Sequence, residues 1–189
     1  MIRREGDFVR VTPPLTDEEV LELRAGDPVR ITGTLLTGRD AAHRKLNDLI
    51  KANQPLPVDL KGQIIYYVGP TPPKPGQVIG SAGPTTGGRM DSTTELLLRA
   101  GLKGAIGKGE RGAATREAFQ KHRAVYFGAI GGSGAYLAKR ITAQEIIAYP
   151  ELGTEAIRRL TVEDFPVVVI NDAHGADFYE EGRKKYAVT

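Results

Sequence analysis

Glycine-rich stretches of this 189-residue sequence carry isolated cationic and hydroxyl side chains at three places. Arg39 stands in TGRDAAH, Thr85 and Arg89 stand in GPTTGGRMDS, and Lys108 stands in AIGKGERG. A guanidinium group binds a carboxylate through two parallel hydrogen bonds, whereas a lysine ammonium makes a point contact. Backbone N–H groups in turns at helix N-termini add further donors for an anion. These residue types predict a site for a small dicarboxylate or a phosphate.

Alternating strand and helix patterns indicate how these stretches come together. VRITGTLL alternates like a strand and leads into TGRDAAHRKLNDLIK, where apolar residues have helical spacing. QIIYYVG, VIGSAG, GAIG and AVYFGAI are further short apolar strands, and helices are predicted around 113–122 and 133–140. The alternation favours an α/β fold with a largely parallel sheet, whose strand-to-helix junctions gather at one edge. We therefore expect the three cations to converge there, within a single domain spanning residues 1–189.

Local signals predict several element boundaries. Thr16 with Glu19 forms a capping box for a short helix, and Ser92 with Glu95 predicts a second capping box after the loop GPTTGGRM. PTPPKPGQ is a loop, because its prolines lack N–H donors and have a fixed φ. After the strand FPVVVIN, a turn at 172–175 is expected to lead into a short return strand.

The neighbours of Arg39 suggest supporting roles. Asp40 follows it directly, and orienting the adjacent arginine or capping a helix is the expected function of its carboxylate. His43 lies one helical turn later on the same face, which places it near a site or at a surface. The three histidines of the chain lack the spacing of metal ligands, so no metal site is predicted.

Composition excludes several classes of function. The net charge is only +3, and basic and acidic residues are interleaved, so a nucleic-acid partner is not implied. The absence of cysteine excludes a disulfide framework, a thiol nucleophile and a cluster ligated by cysteines of this chain. The apolar runs are too short to cross a bilayer, so we expect a soluble, cytoplasmic protein without a membrane partner.

The hexapeptide Gly107–Gly112 also matches the dinucleotide fingerprint G-x-G-x-x-G. That mechanism needs an acidic residue at the end of the next strand to hold a ribose, and AVYFGAI contains none. A phosphate-binding P-loop is excluded because Gly109 follows Lys108 where Ser or Thr should stand. Tight turns would equally explain the glycines, and a solvated surface would explain the cations. The residues alone leave an anion site and a structural role open.

Six motifs along the chain resemble the C-terminal region of class I, iron-sulfur fumarate hydratases. In order, and with matching spacing, they are TGRDAAHRK, GPTTGGRMDS, AIGKGERG, AVYFGAIGGSGAYLA, AYPELGTEAI and VEDFPVVVINDAHGADF. The resemblance spans Leu35 to Phe178 and implies a three-layer β/β/α fold of the swivelling-domain type. It also implies a hetero-oligomer in which this chain is the small, or β, subunit. The large α subunit would then hold the cysteines and a four-iron four-sulfur cluster, and this chain alone would bind no cofactor.

The resemblance implies a role for each candidate residue. Arg39, Arg89 and Lys108 fall on the family's substrate-binding cations, and Thr85 falls on a threonine with a catalytic proton-transfer role. The implied reaction is the reversible hydration of fumarate to (S)-malate, with the partner's cluster acting as a Lewis acid.

Two alternatives accompany this hypothesis. The related L(+)-tartrate dehydratase has a small subunit of the same organisation, although Gly38 and Gly88, before the two arginines, are the fumarase-like choices. The second alternative is an anion-binding or regulatory module without catalysis.

Overall fold

The computed structural model describes residues 1–188, in which eight strands form one sheet. The strands are β1 (Ile2–Glu5), β2 (Phe8–Val11), β3 (Pro28–Thr37), β4 (Ile64–Tyr66), β5 (Gly104–Gly107), β6 (Val125–Gly128), β7 (Ile141–Ala148) and β8 (Ile157–Asn171). The helices are α1 (Asp17–Val20), α2 (Asp40–Lys51), α3 (Asp91–Arg99), α4 (Ala113–Lys121), α5 (Gly134–Ala138) and α6 (Phe178–Tyr186). Two 3-10 segments cover Gly87–Met90 and Pro150–Glu155. None of the helices within 1–188 is long and apolar enough to cross a membrane.

The long strands β3 and β8 close part of the sheet on itself. Strands β2 to β6 run parallel in chain order, whereas β8 pairs antiparallel with β6 and with β3. The β3–β8 pairing runs from Pro28 opposite Val168 to Leu36 opposite Arg159, so β3, β4, β5, β6 and β8 form a closed ring. β1 extends the sheet beyond β2, and β7 extends it beyond β8.

Side chains of the parallel strands alternate between two separate cores. Ile64 and Tyr66 of β4 lie in one apolar cluster, together with residues of β3 and β8. Ile65 and Tyr67 point to the opposite face and pack with residues of α2, α3 and α4. A strand buried on both faces needs this near-continuous apolar run, because successive side chains point to opposite sides. The result is three layers, β/β/α, with a parallel central sheet, and the α/β class predicted from the sequence is confirmed.

Several local predictions are also confirmed. Thr16 and Glu19 form the expected capping box: the Thr16 hydroxyl accepts from the Glu19 N–H, and the Glu19 carboxylate accepts from the Thr16 N–H at 2.9 Å. The β3-to-α2 junction and the proline-rich loop lie where the pattern indicates.

Three predictions are wrong. Residues 78–83 form no strand, because their hydrogen bonds join Ser81 to Thr71 and Ala82 to Gly134 instead of a neighbouring strand. Ser92 is not a cap, since the 3-10 segment leads directly into α3 at Asp91 without a side-chain cap. The return strand after β8 is a single bridge followed by α6, whose N-cap Asp177 accepts from two backbone N–H groups. Propensity alone cannot decide the two strand predictions, because each depends on the pairing partner that the tertiary fold supplies. Ser92 cannot act as an N-cap because it lies inside α3.

Candidate functional site

The carboxyl ends of β3, β4 and β5 lie side by side and are joined by backbone hydrogen bonds. After β3, the Gly38 N–H donates to the Tyr66 carbonyl at 3.1 Å. The Thr85 N–H donates to the Tyr67 carbonyl at 2.7 Å, and the Thr85 carbonyl accepts from the Lys108 N–H at 3.1 Å. The segments TGRD, GPTTGGRM and GKGERG therefore meet at one sheet edge, as the strand and helix pattern predicts.

Arg39 and Arg89 approach the same carboxylate from two loops. Arg39 is the N-cap residue of α2, and Asp40 is the first residue of that helix. Arg89 Nε and Nη2 donate to Asp40 Oδ1 and Oδ2 at 3.1 and 2.8 Å, a bidentate pair. Arg39 Nη2 lies 3.6 Å from Asp40 Oδ2. Asp40 thus orients both guanidinium groups, in agreement with the supporting role expected for it.

The Arg89 guanidinium keeps donors for a further acceptor. Its side chain is 51% exposed, and Asp40 engages one N–H on Nε and one on Nη2. Since a guanidinium has five N–H donors, about three remain at its outer end. That end can bind a second carboxylate while Asp40 holds the other edge.

The Arg39 side chain lies in a narrow slot in which its donors are poorly satisfied. Its Nη2 is also 3.6 Å from Glu155 Oε1, which is longer than a normal hydrogen bond. Its Nε is buried and has no hydrogen-bond partner among residues 1–188. Gly69 lies against the guanidinium, so closely that a Cβ there would be 2.6 Å from Nη1. Because unsatisfied buried donors cost free energy, an added anion would stabilise this slot.

The charges around the two arginines are nearly balanced. Asp40 and Glu155 lie beside Arg39, and Asp40 also pairs with Arg89. Burial raises the pKa of the Asp40 carboxyl, but its own backbone N–H and the Arg89 guanidinium outweigh burial and hold that pKa below its ordinary value. Asp40 is therefore ionised at neutral pH and keeps both cations in place.

Thr85 and Lys108 are joined through their main chains. Both the N–H and the carbonyl of Thr85 are engaged, which holds this half-buried residue between the ends of β4 and β5. The Lys108 side chain runs toward Gly131, in the loop after β6, and lines an open cavity of about 710 Å³ beside Ile130. The structure brings Arg39 to Arg89 and Thr85 to Lys108, while the lysine side chain leans away from β3.

Arg111 holds two of these loops together. Its side chain is fully buried, and its Nε donates to Asp91 Oδ1 at 2.6 Å while Nη2 donates to Thr94 Oγ1 at 2.8 Å. The guanidinium also lies 4.8 Å from the ring centre of Tyr126 and 5.5 Å from that of Tyr67. The GKGERG loop is thereby attached to the start of α3, two residues after Arg89, so Arg111 of the hexapeptide has a structural role in the fold.

His43 is a buried residue of the layer beneath the site. Its Nδ1 lies 3.2 Å from Thr93 Oγ1, and its ring packs edge-on against Tyr67. Burial is the main cause that lowers the pKa of the imidazole to about 3, with the nearby Arg111 adding to the effect and Asp40 opposing it. His43 is therefore neutral at physiological pH and supports the loop at Gly38, against which its ring lies.

Sequence reasoning missed Arg111 and Glu155. Arg111 stands in AIGKGERG and Glu155 in AYPELGTEAI, so both residues lie within the six motifs that carry the family resemblance. Their roles depend on contacts between distant parts of the chain. Arg111 meets Asp91, 20 residues earlier, and Glu155 meets Ala41, 114 residues earlier.

The chain does not offer the donors of an iron-sulfur cluster. It has no cysteine, and in residues 1–188 no group of three or more His, Asp or Glu side chains is arranged to hold a metal ion. Arginine, lysine and hydroxyl side chains at the site suit an anion rather than a cation.

Known proteins resemble this chain over nearly its whole length. It is 43% identical over 183 residues to the protein named "Fumarate hydratase class I, anaerobic" of Escherichia coli (strain K12), covering 94% of this chain and 33% of that protein. It is 39% identical over 166 residues to "Fumarate hydratase 2" of Leishmania major, covering 87% and 29%. The chain thus spans about a third of the length of these fumarate hydratases.

A shorter relative matches over most of its length. The "Putative L(+)-tartrate dehydratase subunit beta" of Methanocaldococcus jannaschii is 37% identical over 177 residues, which cover 90% of this chain and 91% of that protein. The family model described as Fumarase C-terminus matches residues 3–182. This match covers nearly the whole chain and includes the arginine site, formed by Arg39, Asp40 and Arg89. The chain therefore belongs to the fumarase C-terminus family.

Proposed function

We propose that this chain is the small subunit of an iron-sulfur hydro-lyase that reversibly hydrates fumarate to (S)-malate. In this proposal Arg39, Arg89 and Lys108 bind the substrate carboxylates, and Thr85 transfers a proton. The observation that carries the proposal is the pairing of two arginines from separate loops around Asp40, with the Nε of Arg39 unsatisfied.

The arginines have distinct tasks. Arg89, held along one edge by Asp40, offers its remaining donors to one end of a small dianion. The Arg39 side chain is only 21% exposed. Its reduced contact with water strengthens an ionic hydrogen bond to the substrate carboxylate. Two fixed guanidinium groups orient a rigid dicarboxylate and lower the entropic cost of reaction.

The reaction places negative charge where cations can stabilise it. In the dehydration direction a proton leaves one carbon of malate and hydroxide leaves the adjacent carbon, forming the double bond of fumarate. Removal of the proton spreads negative charge into the neighbouring carboxylate, so cations there stabilise the transition state more than the ground state. Thr85 Oγ is proposed to accept this proton while its own hydroxyl proton passes to a base contributed by the large subunit. The main chain of Thr85 is fixed by Tyr67 and Lys108.

The cluster belongs to the partner in this proposal. The donor set of this chain does not fit a four-iron four-sulfur cluster, because the chain has no cysteine. A large, cysteine-containing α subunit would hold the cluster opposite the arginine site, and the hetero-oligomer would be the active enzyme in the cytoplasm. The fumarate hydratases of which this chain covers about a third support the participation of a further catalytic portion.

An anaerobic pull-down of the tagged chain from its source tests the proposal. We expect recovery of a cysteine-containing, iron-loaded partner and hydration of fumarate by the complex, measured as malate formed. A complex without iron, or one that neither hydrates fumarate nor dehydrates L(+)-tartrate, would refute the hydro-lyase assignment. Failure to recover a partner would favour a different function, that of an anion-binding module without catalysis.

The second candidate is the small subunit of L(+)-tartrate dehydratase. The relative with that name matches this chain over 91% of its own length, unlike the longer fumarate hydratases. The same arginines would bind a dicarboxylate that carries one more hydroxyl than malate. Parallel assays of the recovered complex distinguish the two, since a higher kcat/KM for L(+)-tartrate than for malate would select this candidate.

A further inference from the structure

The motif AYPELGTEAI reaches the arginine site through one side chain, Glu155. The 3-10 segment Pro150–Glu155 connects β7 to β8 and lies along α2. Tyr149, at its start, has a φ of +54°, which is uncommon for a bulky residue, and Gly153 has a φ of +59°. These turns direct the segment back to the first turn of α2, where Glu155 makes its contacts.

Glu155 contacts both the backbone of α2 and the guanidinium of Arg39. Its Oε2 accepts a hydrogen bond from the Ala41 N–H at 2.8 Å, one of the free donors in the first turn of the helix. Its Oε1 lies 3.6 Å from Arg39 Nη2. The side chain is 24% exposed, so its charge is partly shielded from water.

We propose that Glu155 is a positioning residue whose charge, fixed by the Ala41 N–H, holds Arg39 in the orientation that binds substrate. Asp40 and Glu155 each lie 3.6 Å from the same Nη2, so two carboxylates attract this one nitrogen. Gly69 lies against the guanidinium and limits its movement. The contact is too long to use up the hydrogen-bond donors of Arg39, which stay available for an anion.

Glu151 provides a matched control in the same segment. Its carboxylate pairs with Lys45 of α2 at 2.7 Å, but it is 56% exposed and forms no ion pair or hydrogen bond with Arg39 within residues 1–188. Exposed pairs of this kind contribute little to stability. The substitutions Glu151→Gln and Glu155→Gln therefore change the charge of the segment equally and differ in whether Arg39 is affected.

The first experiment measures Arg39 itself and does not depend on catalysis. In the full chain labelled with ¹⁵N-arginine, the Nε–H signal of Arg39 is assigned by its loss in Arg39→Lys. We expect Glu155→Gln to increase the hydrogen-exchange rate of this N–H by about tenfold, because the buried Nε becomes mobile. Glu151→Gln should leave the rate unchanged. The amide oxygen of the introduced Gln can still accept from the Ala41 N–H, so this variant removes the charge and keeps the hydrogen bond. An unchanged exchange rate in Glu155→Gln would therefore overturn the proposal.

The second experiment uses the complex with the large subunit and rests on the proposed function. Glu155→Gln removes a negative charge beside Arg39, so a purely electrostatic role predicts a lower KM for the dianionic substrate. A positioning role predicts the opposite sign, and we expect KM to rise about tenfold. A lower KM would overturn the proposal. If the wild-type complex has no hydro-lyase activity, the proposed function fails, and the exchange rate of Arg39 still decides the role of Glu155.

A second variant tests the proposal if Glu155→Gln does not fold. Glu155→Asp keeps the charge but withdraws it by one methylene group. We expect the same two changes in this variant, a faster Arg39 exchange and a higher KM. Wild-type values for both would overturn the proposal.

Discussion

His43 should make the stability of this protein depend on pH in a predictable direction. Burial lowers the pKa of its imidazole from an ordinary value of 6.5 to about 3, with Arg111 adding to the effect and Asp40 opposing it. In the unfolded chain the group regains its ordinary pKa. Below pH 6.5 the unfolded state therefore binds a proton that the folded state excludes. The stability that neutral His43 contributes is complete above pH 6.5 and is lost as the pH falls toward 3.

The size of this effect follows from the same pKa difference. Each pH unit within that window changes the free energy of unfolding by about 1.4 kcal/mol for one proton. At pH 5, one and a half units below the unfolded pKa, the loss should be ~2 kcal/mol. This is a large share of the roughly 5–15 kcal/mol that stabilises a typical domain.

Urea unfolding of the wild type and of His43→Asn at pH 7 and pH 5 measures the effect. The Asn amide can keep the contact with Thr93 that His43 Nδ1 makes, and it does not titrate. We expect His43→Asn to be less stable at pH 7, because Asn fills less of the space, but to lose about 2 kcal/mol less than the wild type on acidification. His122→Asn, at a less buried histidine, should remove a smaller part of the pH dependence. Equal losses for wild type and His43→Asn would refute the reasoning.

Three further predictions concern the arginine site and its surroundings, and they are measured in the complex with the large subunit that we propose. Arg89→Lys should lower kcat/KM by about tenfold to a hundredfold, because lysine cannot pair with Asp40 and substrate through a planar fork; near-normal turnover would reject the proposed carboxylate binding by Arg89. Thr85→Ala should lower kcat by about a hundredfold or more and leave KM nearly unchanged if its hydroxyl transfers a proton; an unchanged kcat would remove Thr85 from the mechanism. Gly69→Ala should raise KM, because its Cβ would lie 2.6 Å from Arg39 Nη1 and displace the guanidinium; wild-type KM would show that Arg39 does not bind substrate in this slot.

The strand and helix order was accessible from the sequence wherever local patterns are strong. The alternation of β3 and the helical spacing in α2 predict both elements, because side-chain periodicity is a property of consecutive residues. The segment 78–83 shows the limit of this argument. Its apolar residues Ile79 and Ala82 are buried as in a strand, but no strand within residues 1–188 lies beside them to accept a ladder of hydrogen bonds. Burial could be predicted there, whereas pairing could not.

The sequence by itself determined the chemistry that the chain can offer. Arginine and lysine at glycine-rich junctions favour an anion, and without cysteine these 189 residues offer no thiolate ligand to a cluster. The sequence also predicted that these residues lie at one sheet edge, since parallel strands bring their carboxyl ends together.

Only the tertiary structure decided which side chains meet at that edge. Asp40 joins Arg39 to Arg89 across 49 residues, and Glu155 reaches Ala41 across 114. These contacts depend on how β8 pairs with β3 and on how the segment before β8 lies along α2. Such pairings arise from the packing of the whole molecule. No local run of residues specifies them, because two distant segments keep their side-chain contacts only when the same core holds both segments.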